Sequence, residues 1–365
     1  MQPKKLWIIV SQTVHGRAVC YWKRTEKFRV VLKRRVRYTE MIDRVRVAMI
    51  GAGSMANTVH YPSLASFSDV DFAAICDLDE ERLHRTADKY GIEKRYGPAG
   101  FDGYKKMLEE VTPDAVYAIG QPNIMYPIWK HCLEAGYNLY IEKPMGLTLH
   151  QARALAHLAE VNCCITQVSF QRRSCPMVMR LADACMQRGP IVHAVCEFYK
   201  CNPEPFLDAR DHMMDDGVHA IDTLRWLCGG EVTDVKAITR SIGTPDLNFF
   251  AVMLTFDNGA TGVLLNSWTS GRRIFRVQIH GNRICAEAEH EGKGVLYADG
   301  DTQGVWYDTR EVAGSDELWA YGGFRNKNRE FIDAVKVGHF PSSCFADAVK
   351  TMEVADRILA IGAYG

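Results

Sequence analysis

The sequence predicts an α/β protein in two parts: an N-terminal doubly wound parallel sheet, and a C-terminal α/β part with a large, mostly antiparallel open sheet. Apolar strands alternate with helical segments up to about residue 165, which is typical of parallel strands joined by crossover helices. Beyond it, apolar runs rich in β-branched and aromatic residues follow one another, and Asp257-Asn258-Gly259 between two of them indicates a hairpin. We therefore expect a basic extension at 1–40 and domains at 41–165 and 166–365.

Length and composition are those of an ordinary globular protein. The 365 residues are 47% hydrophobic and 24% charged, which excludes disordered, collagen-like and coiled-coil chains. The charges are unevenly spread: residues 1–40 hold eleven Lys and Arg against two acidic residues, which leaves 33 basic and 42 acidic residues from Met41 onward. Because binding to phosphates needs clustered Lys and Arg, this acidic body argues against a nucleic-acid partner.

Neither a membrane anchor nor a disulfide framework is predicted. The longest apolar run near the N-terminus, residues 6–10, is far shorter than a spanning helix or the apolar segment of a signal peptide. The twelve cysteines are spread along the chain without a C-x-x-C pair, so we expect reduced thiols, a cytoplasmic protein and no metal site. The adjacent Cys163 and Cys164 are expected to pack in the interior.

Residues 1–40 alternate basic and apolar residues without a sustained helical period, and three interpretations remain open. The segment is a basic arm, a targeting peptide, or upstream sequence read from an early start codon, with Met41 as the natural start. We favour the third interpretation because Met41 stands just before the first predicted strand. A protein that starts at Met41 is then expected to fold and turn over like the full chain.

The elements of the first part follow the order of a Rossmann sheet. In chain order they are a strand at 44–50, a strand at 72–76, a helix at 80–90, a strand at 115–119, a helix at 128–135 and a strand at 138–141. A glycine turn at 51–56 opens a further helix after the first strand, and Gly91 and Gly136 end the other two helices in the manner of C-caps.

The second part is predicted to contain five strands and two C-terminal helices. The strands lie at 191–199, 232–240, 249–256, 262–268 and 275–280, and the helices at 328–337 and 345–361. Aromatic residues of this sheet, such as Phe249, Phe250, Trp268 and Phe275, suggest a face that needs cover. Since large exposed apolar patches are uncommon on monomers, the sequence predicts a homo-oligomer.

The turn Gly51-x-Gly53-x-x-Ala56 lets backbone amides approach a pyrophosphate, to which the following helix N-terminus adds partial positive charge. Asp77 ends the second strand 21 residues after Ala56, where its carboxylate would accept hydrogen bonds from a ribose and repel a 2′-phosphate. The sequence thus predicts a site for NAD rather than NADP. Arg82 and Arg85 are close enough in sequence to weaken that preference.

Two further clusters carry chemistry. Glu142 and Lys143 follow the strand at 138–141, and ligands of doubly wound sheets bind beyond the carboxyl ends of the strands, so Lys143 is expected near the nicotinamide. Asp215 and His219 are four residues apart and would share a helical face. A carboxylate beside an imidazole orients it and raises its basicity, which suits proton abstraction from an alcohol; a purely structural histidine is the alternative.

Four motifs occur in order: Gly51-Ala52-Gly53-Ser54-Met55-Ala56, Glu142-Lys143-Pro144, Phe170-Gln171-Arg172-Arg173 and Asp215-x-Gly217-x-His219-x-Ile221-Asp222. Together they resemble the Gfo/Idh/MocA family, the relatives of glucose-fructose oxidoreductase and inositol dehydrogenase, over residues 44 to about 362. The resemblance implies NAD(P)-dependent oxidation or reduction of a sugar, glycoside or polyol hydroxyl by a homo-oligomer with a large open sheet.

The resemblance also implies roles for individual residues. Lys143, Asp215 and His219 correspond to the family's catalytic lysine, carboxylate and histidine, and Arg172 or Arg173 to a position that borders cofactor and substrate. The residues expected to bind the cofactor are Gly51, Gly53, Ser54, Met55, Ala56, Asp77, Gln121, Pro122, Glu142, Lys143 and Arg172. Those expected to contact the substrate are Lys143, Arg173, His212, Asp215 and His219.

Two departures from the family pattern leave the substrate open. Residues 209–214, which include His212, replace a glycine cluster, and Tyr126 stands where a histidine is usual. Aromatic residues at Trp319, Tyr321 and Phe324 would accommodate a flat ring, so we favour a hexose or glycoside oxidised at a secondary ring hydroxyl, C3 first.

Other functions remain open. Glycoside cleavage by transient oxidation, elimination and return of the hydride would use the same residues without consuming NAD. An inositol or polyol dehydrogenase is another alternative, and a sugar-responsive regulator without turnover is a third. The joint presence of Lys143, Asp215 and His219 favours an enzyme over the regulator.

Overall fold

The computed structural model describes residues 10–14, 17–21, 43–97, 102–202, 204 and 211–364. A small antiparallel hairpin of β1 (Val10–Val14) and β2 (Arg17–Tyr21) forms a sheet of its own. The rest of the segment 1–40 lies outside the described residues, and so do the predictions made for it.

The first large sheet is parallel and six-stranded. Its strands are β3 (Val45–Ile50), β4 (Val70–Cys76), β5 (Arg95–Tyr96), β6 (Ala115–Ala118), β7 (Leu139–Ile141) and β8 (Thr166–Val168). They lie in the order β5-β4-β3-β6-β7-β8, so the direction of winding reverses between β3 and β6. This confirms the predicted doubly wound sheet, whose ligand crevice is expected at that reversal point.

In the described part of the chain, five helices alternate with the strands of this sheet. They are α1 (Tyr61–Ala65), which continues a π-helical turn at Ala56–His60, α2 (Glu80–Tyr90), α3 (Gly103–Val111), α4 (Pro122–Glu134) and α5 (Leu149–Val161). Helix α2 has the predicted bounds. The Asp79 side chain accepts a hydrogen bond from the Arg82 backbone N–H at its start, and Gly91 ends it with a left-handed φ of 65°.

The second sheet has eight strands in the order β10-β11-β12-β9-β13-β14-β15-β16, antiparallel except for the pair β9 and β12. Its strands are β9 (His193–Cys201), β10 (Val232–Arg240), β11 (Phe249–Phe256), β12 (Thr261–Ser267), β13 (Thr269–Gly281), β14 (Ile284–Glu289), β15 (Lys293–Ala298) and β16 (Val305–Asp308). The predicted hairpin joins β11 to β12, with Gly259 at a φ of 86°.

The remaining helices are α6 (Pro176–Met186), α7 (Val218–Cys228), α8 (Thr309–Ala313), α9 (Leu318–Tyr321), α10 (Phe324–Val337) and α11 (Phe345–Tyr364). Helix α10 packs on the first sheet: the Phe331 ring meets the rings of Tyr117 and Tyr140 edge-on at 5.5 Å. The first sheet also includes β8. A late helix thus completes the core of the first sheet, and the domain boundary at 165 stays a prediction.

The aromatic residues predicted on the open face of the second sheet mostly point the other way. Phe250, Trp268 and Phe275 are buried in the core. The opposite face of β11 and β12 instead carries half-buried or exposed aliphatic residues, among them Met253 and its register partner Val263. An apolar outer face remains, but it is aliphatic.

None of the described cysteines forms a disulfide. Cys164 is buried as predicted, whereas Cys163 is exposed at a positive φ, so the prediction that it packs in the interior is wrong. No helix in the described ranges combines the length and apolar character needed to cross a membrane. Among those same residues, no group of His, Cys, Asp and Glu could hold a metal ion.

Candidate active site

A cleft of about 950 Å³ lies at the carboxyl ends of the parallel strands and reaches the second sheet. One end is formed by the glycine turn and by the residues that follow β4 and β6. The other end is lined by Lys200 of β9, Arg273 of β13, Tyr321 at the end of α9 and Phe324 at the start of α10. The cleft thus joins the first sheet's reversal point to the second sheet.

The glycine turn is built for close approach of backbone. Gly51 has a φ of 106°, and a Cβ there would lie 2.1 Å from the Ile119 carbonyl oxygen, so only glycine fits between β3 and β6. At Gly53, which lines the cleft, a Cβ would meet no atom within 4 Å. The turn therefore presents backbone amides next to open space, which is what a bound pyrophosphate would need. Ser54, Met55 and Ala56 line the same end.

Asp77 connects the glycine turn to the end of β4. Its Oδ2 accepts a 2.6 Å hydrogen bond from the Ala52 backbone N–H, and its Oδ1 accepts a 2.7 Å bond from that of Asp79. Arg82 forms ion pairs with both carboxylates: its Nη2 lies 3.6 Å from Asp77 Oδ1, and its Nε lies 3.1 Å from Asp79 Oδ2. The position suits a ribose contact, and the arginine is already engaged by two carboxylates.

Lys143 lines the cleft just beyond the carboxyl end of β7. Its Nζ donates to the Asp215 backbone oxygen at 2.7 Å and to Asp216 Oδ1 at 3.1 Å. Burial disfavours the lysine's charge, but the nearby carboxylates outweigh it and raise the pKa of Lys143. Lys200 of β9 forms an ion pair with the other oxygen of Asp216. Burial alone would raise the pKa of Asp216, yet the two ammonium groups lower it.

His219 is buried in the first turn of α7, beside the ring of Phe170. Burial, helped by Lys143 and Arg172, lowers its pKa well below the ordinary value, so the imidazole is neutral at pH 7. Its Nδ1 has no hydrogen-bond partner among the described residues. The sequence predicts that Asp215 orients this imidazole, but Nδ1 donates to no carboxylate, and the carboxylate that acts on His219 electrostatically is Asp216.

Glu142 is buried and also lines the cleft. Its Oε1 lies 2.8 Å from His60 Nε2, and His60 Nδ1 lies 3.2 Å from Asn328 of α10. Gln121 and Pro122, at the start of α4, line the cleft above β6, and Arg172 lines it from the turn at 171–174. Glu142, Gln121, Pro122 and Arg172 therefore line the same cleft as Lys143 and His219.

Arg173 and His212 lie elsewhere. Arg173 is buried, where it pairs with Asp222 and, at 2.8 Å, with Asp347 of α11. His212 is buried with its ring stacked on Trp268 at 4.7 Å. Neither belongs to the described lining of the cleft, so both side chains have structural surroundings rather than the substrate contacts that the sequence predicted.

Two family models match this chain. One, described as an oxidoreductase family with an NAD-binding Rossmann fold, matches residues 45–170, and the GFO/IDH/MocA C-terminal domain matches residues 187–287. The chain belongs to the Gfo/Idh/MocA oxidoreductase family. The predicted resemblance is thereby confirmed.

Similar proteins agree with this assignment. A myo-inositol 2-dehydrogenase of Thermotoga maritima is 26% identical over 321 residues, which cover 82% of this chain and 90% of that protein. A D-glucoside 3-dehydrogenase of Escherichia coli is 33% identical over 115 residues, 32% of this chain and 31% of that protein. The structure of a dehydrogenase from Chromobacterium violaceum has the same fold, with a TM-score of 0.79 at 19% identity over 88% of this chain and 96% of that one. This Gfo/Idh/MocA protein is thus an NAD-binding dehydrogenase acting on CH–OH groups of sugars or polyols.

Sequence reasoning missed several cleft residues of this Gfo/Idh/MocA enzyme. Lys200, Arg273 and Glu291 stand outside the motifs, and Asp216 occupies an unspecified position of the fourth motif. They meet only because β9, β13, the turn between β14 and β15, and the segment before α7 converge. The charge of Asp216, next to a motif residue, was the one available signal. Of the aromatic residues proposed for substrate, Tyr321 and Phe324 do line the cleft.

Proposed function

We propose that this enzyme oxidises a secondary ring hydroxyl of a sugar or glycoside with NAD⁺, and that C3 is the carbon oxidised. The observation that carries the proposal is the convergence of Lys143, Asp216 and His219 in the cleft opened by the glycine turn. The likeness to a D-glucoside 3-dehydrogenase supports C3. The likeness to a myo-inositol 2-dehydrogenase supports a polyol as the alternative substrate.

Bound NAD⁺ supplies the hydride acceptor for this reaction. His219, neutral at pH 7, takes the proton of the reacting hydroxyl. Lys143 stays protonated and donates from Nζ to the same oxygen, which stabilises the negative charge that develops there. Asp216 orients Nζ and offsets the positive charge beside His219. Proton transfer and charge stabilisation therefore come from neighbouring groups on one side of the cleft.

The cofactor is proposed to bind along the glycine turn with its ribose at Asp77. Because Asp77 repels a 2′-phosphate and Arg82 is engaged by Asp77 and Asp79, we expect NAD⁺ to bind at least tenfold more tightly than NADP⁺, about 1.4 kcal/mol. Calorimetric titration with both cofactors measures this. Equal affinities would mean that Arg82 and Arg85 govern the ribose site.

Incubation with NAD⁺ and a panel of hexoses, alkyl and aryl glycosides and inositols tests the reaction. We expect NADH to form in proportion to a keto sugar whose carbonyl NMR assigns to C3. Released aglycone without accumulated NADH would indicate cleavage by oxidation and elimination. Turnover of inositols alone would reject the ring-sugar proposal, and binding without any turnover would indicate a regulator.

A further inference from the structure

Arg172 is a buried cation whose hydrogen-bonding groups are unused. Its residue is only 4% exposed, and it lines the cleft. Its Nε and Nη1 have no hydrogen-bond partner in the described part of the chain. The guanidinium lies over the rings of Phe275, at 4.1 Å, and Phe198, at 5.0 Å. Ring faces compensate a buried charge only in part, so the guanidinium still lacks an anionic partner beside the cleft.

The carboxylates near Arg172 are already paired. Glu291 lies 3.4 Å from Arg273, and Asp216 is shared between two lysines. On this side the cleft is lined by the cations Lys143, Arg172, Lys200 and Arg273 and by the carboxylates Glu142, Asp215, Asp216 and Glu291, while burial keeps His219 and His290 neutral. Of these four cations, Arg172 is the one that forms no hydrogen bond or ion pair with a carboxylate of the described residues. Burial and the charge of Arg273 lower the pKa of Arg172 to about 10, as expected for a guanidinium that lacks an anion.

The sequence predicts Arg172 among the cofactor-binding residues, but the dinucleotide offers no anion to its guanidinium. Dinucleotide phosphates bind at the glycine turn, at the opposite end of the cleft. The nicotinamide ring, which would lie near Lys143, carries no negative group. Arg172 rests against Phe198 of β9 and Phe275 of β13, which places it on the wall of the second sheet, where the substrate would bind.

We propose that the substrate is an anionic sugar, and that Arg172 binds its oxyanion group, a carboxylate or a phosphate. A guanidinium donates two parallel hydrogen bonds to either group, an arrangement that Lys cannot reproduce. Arg273 and Lys200 add positive charge on the same wall. This inference rests on the proposed function and adds to it the charge class of the substrate.

Matched sugars test the charge class separately from the reaction. Each neutral hexose of the gluco, galacto and manno series is compared with its uronate and its 6-phosphate, both by calorimetric binding to the NAD⁺-loaded enzyme and by NADH formation. We expect at least one anionic sugar to bind tenfold or more tightly than its neutral counterpart, and the uronate and phosphate arms tell the two groups apart. The inference is overturned if no anionic sugar binds more tightly than its neutral partner. If neutral sugars are turned over in that case, the proposed function still holds. Tight binding of an anionic sugar without NADH formation would reject the proposed reaction but support an anionic ligand.

Substitutions test the residue. Arg172→Gln is expected to lower the ratio of anionic to neutral affinity at least tenfold with unchanged NAD⁺ affinity, and Arg172→Lys to restore part of it. Arg273→Gln changes a half-exposed side chain and is expected to lower the ratio of anionic to neutral affinity by about threefold. It replaces the Arg172 variants in this test if they fail to fold. Arg283→Gln, at an exposed arginine outside the cleft, is the matched control. Loss of NAD⁺ affinity with an unchanged ratio would assign Arg172 to the cofactor and overturn the inference.

Discussion

Two neighbouring aspartates hold Lys143 through different atoms. Asp215 contributes its backbone oxygen and Asp216 its carboxylate, so the ammonium group is fixed from two directions. The imidazole of His219 is not held by a carboxylate at Nδ1; it is positioned by burial in α7. The proton acceptor and the charge donor are therefore adjusted by one group, Asp216, which raises the pKa of both.

Replacing the proton acceptor or the charge donor should slow the chemical step. We expect His219→Ala and Lys143→Ala each to lower kcat about 10²-fold to 10⁴-fold, the usual range for acid–base catalysis. The double variant should lose less than the product of the two, because both groups act on one oxygen. Initial rates, NAD⁺ affinity and melting temperature are measured on the same preparations.

The exposed His157 offers a control, since His157→Ala should leave all three quantities unchanged. If His219 only braces α7, its replacement will lower the melting temperature and leave turnover per folded molecule intact. That pattern would remove His219 from the mechanism.

Asp216→Asn should move the pH–rate profile. The reaction needs neutral His219 and protonated Lys143, so activity falls below the pKa of the first and above that of the second. The Asp216 charge raises both pKa values, and its removal therefore shifts both limbs to lower pH. Profiles of kcat/KM over the whole pH range in which the enzyme stays folded measure the shift, with Asp299→Asn, outside the cleft lining, as the control. A fixed acid limb would exclude His219 as the titrating group.

Motif residues of the site were predictable because their chemistry needs particular side chains at particular spacings: the glycines, Asp77, Lys143 and His219. Lys200 and Arg273 were not, since each is one charged residue in an alternating strand and nothing local tells which face points to the cleft. Arg173 was misassigned for a related reason. Arg172 lines the cleft, whereas the side chain of Arg173 points into the interior. The sequence does not show which of two adjacent arginines points toward a cleft.

Among the elements, the buried arginine network joins three segments. Arg173, in the turn at 171–174, pairs with Asp222 of α7 and Asp347 of α11, and Asp347 also accepts from Arg225 at 2.9 Å. Because Arg172 is the preceding residue, this network fixes the turn that carries it. The network therefore stabilises the cleft wall without touching the substrate.

Asp222→Asn should lower the free energy of unfolding and leave the affinity for NAD⁺ nearly unchanged. Removing one partner leaves a buried guanidinium undercompensated, which costs about 3 kcal/mol. Urea unfolding measures the loss, and NAD⁺ titration below the transition checks the site. Arg188→Gln, which breaks an exposed ion pair with Asp299, should cost less than about 1 kcal/mol. Equal losses in the two variants would contradict the account of the network.

Strands were predictable where bulky residues alternate: β10 and β11 have the predicted bounds. Strands β14, β15 and β16 were missed because their inward residues are small or few. In β14, Ala286 and Ala288 point inward and Glu287 and Glu289 outward, a pattern too weakly apolar to stand out. Helix α10 was predicted, but the sheet on which it packs was not. The periodicity of a helix shows that it has an apolar face, but it does not show which element that face contacts.

At the scale of the whole molecule, the aliphatic outer face of the second sheet is expected to join protomers. We expect light scattering at micromolar concentration to give a mass above the 41.2 kDa of one chain. Met253→Arg, at a side chain that is 47% exposed, should give monomers because it buries an unpaired charge in that interface. Val161→Arg, at a similarly exposed residue of α5, should leave the mass unchanged. A wild-type mass near that of one chain would refute the oligomer.

The packing of α10 on the first sheet also bears on how the chain is made. Domains usually fold as they leave the ribosome, the N-terminal one first. Here the rings of Tyr117 and Tyr140 pack against Phe331. All eight strands of the second sheet are synthesised before that residue. The nascent first sheet therefore holds an uncovered aromatic face for most of translation, and the nucleotide-binding half, first to be synthesised, is among the last parts of the molecule to close.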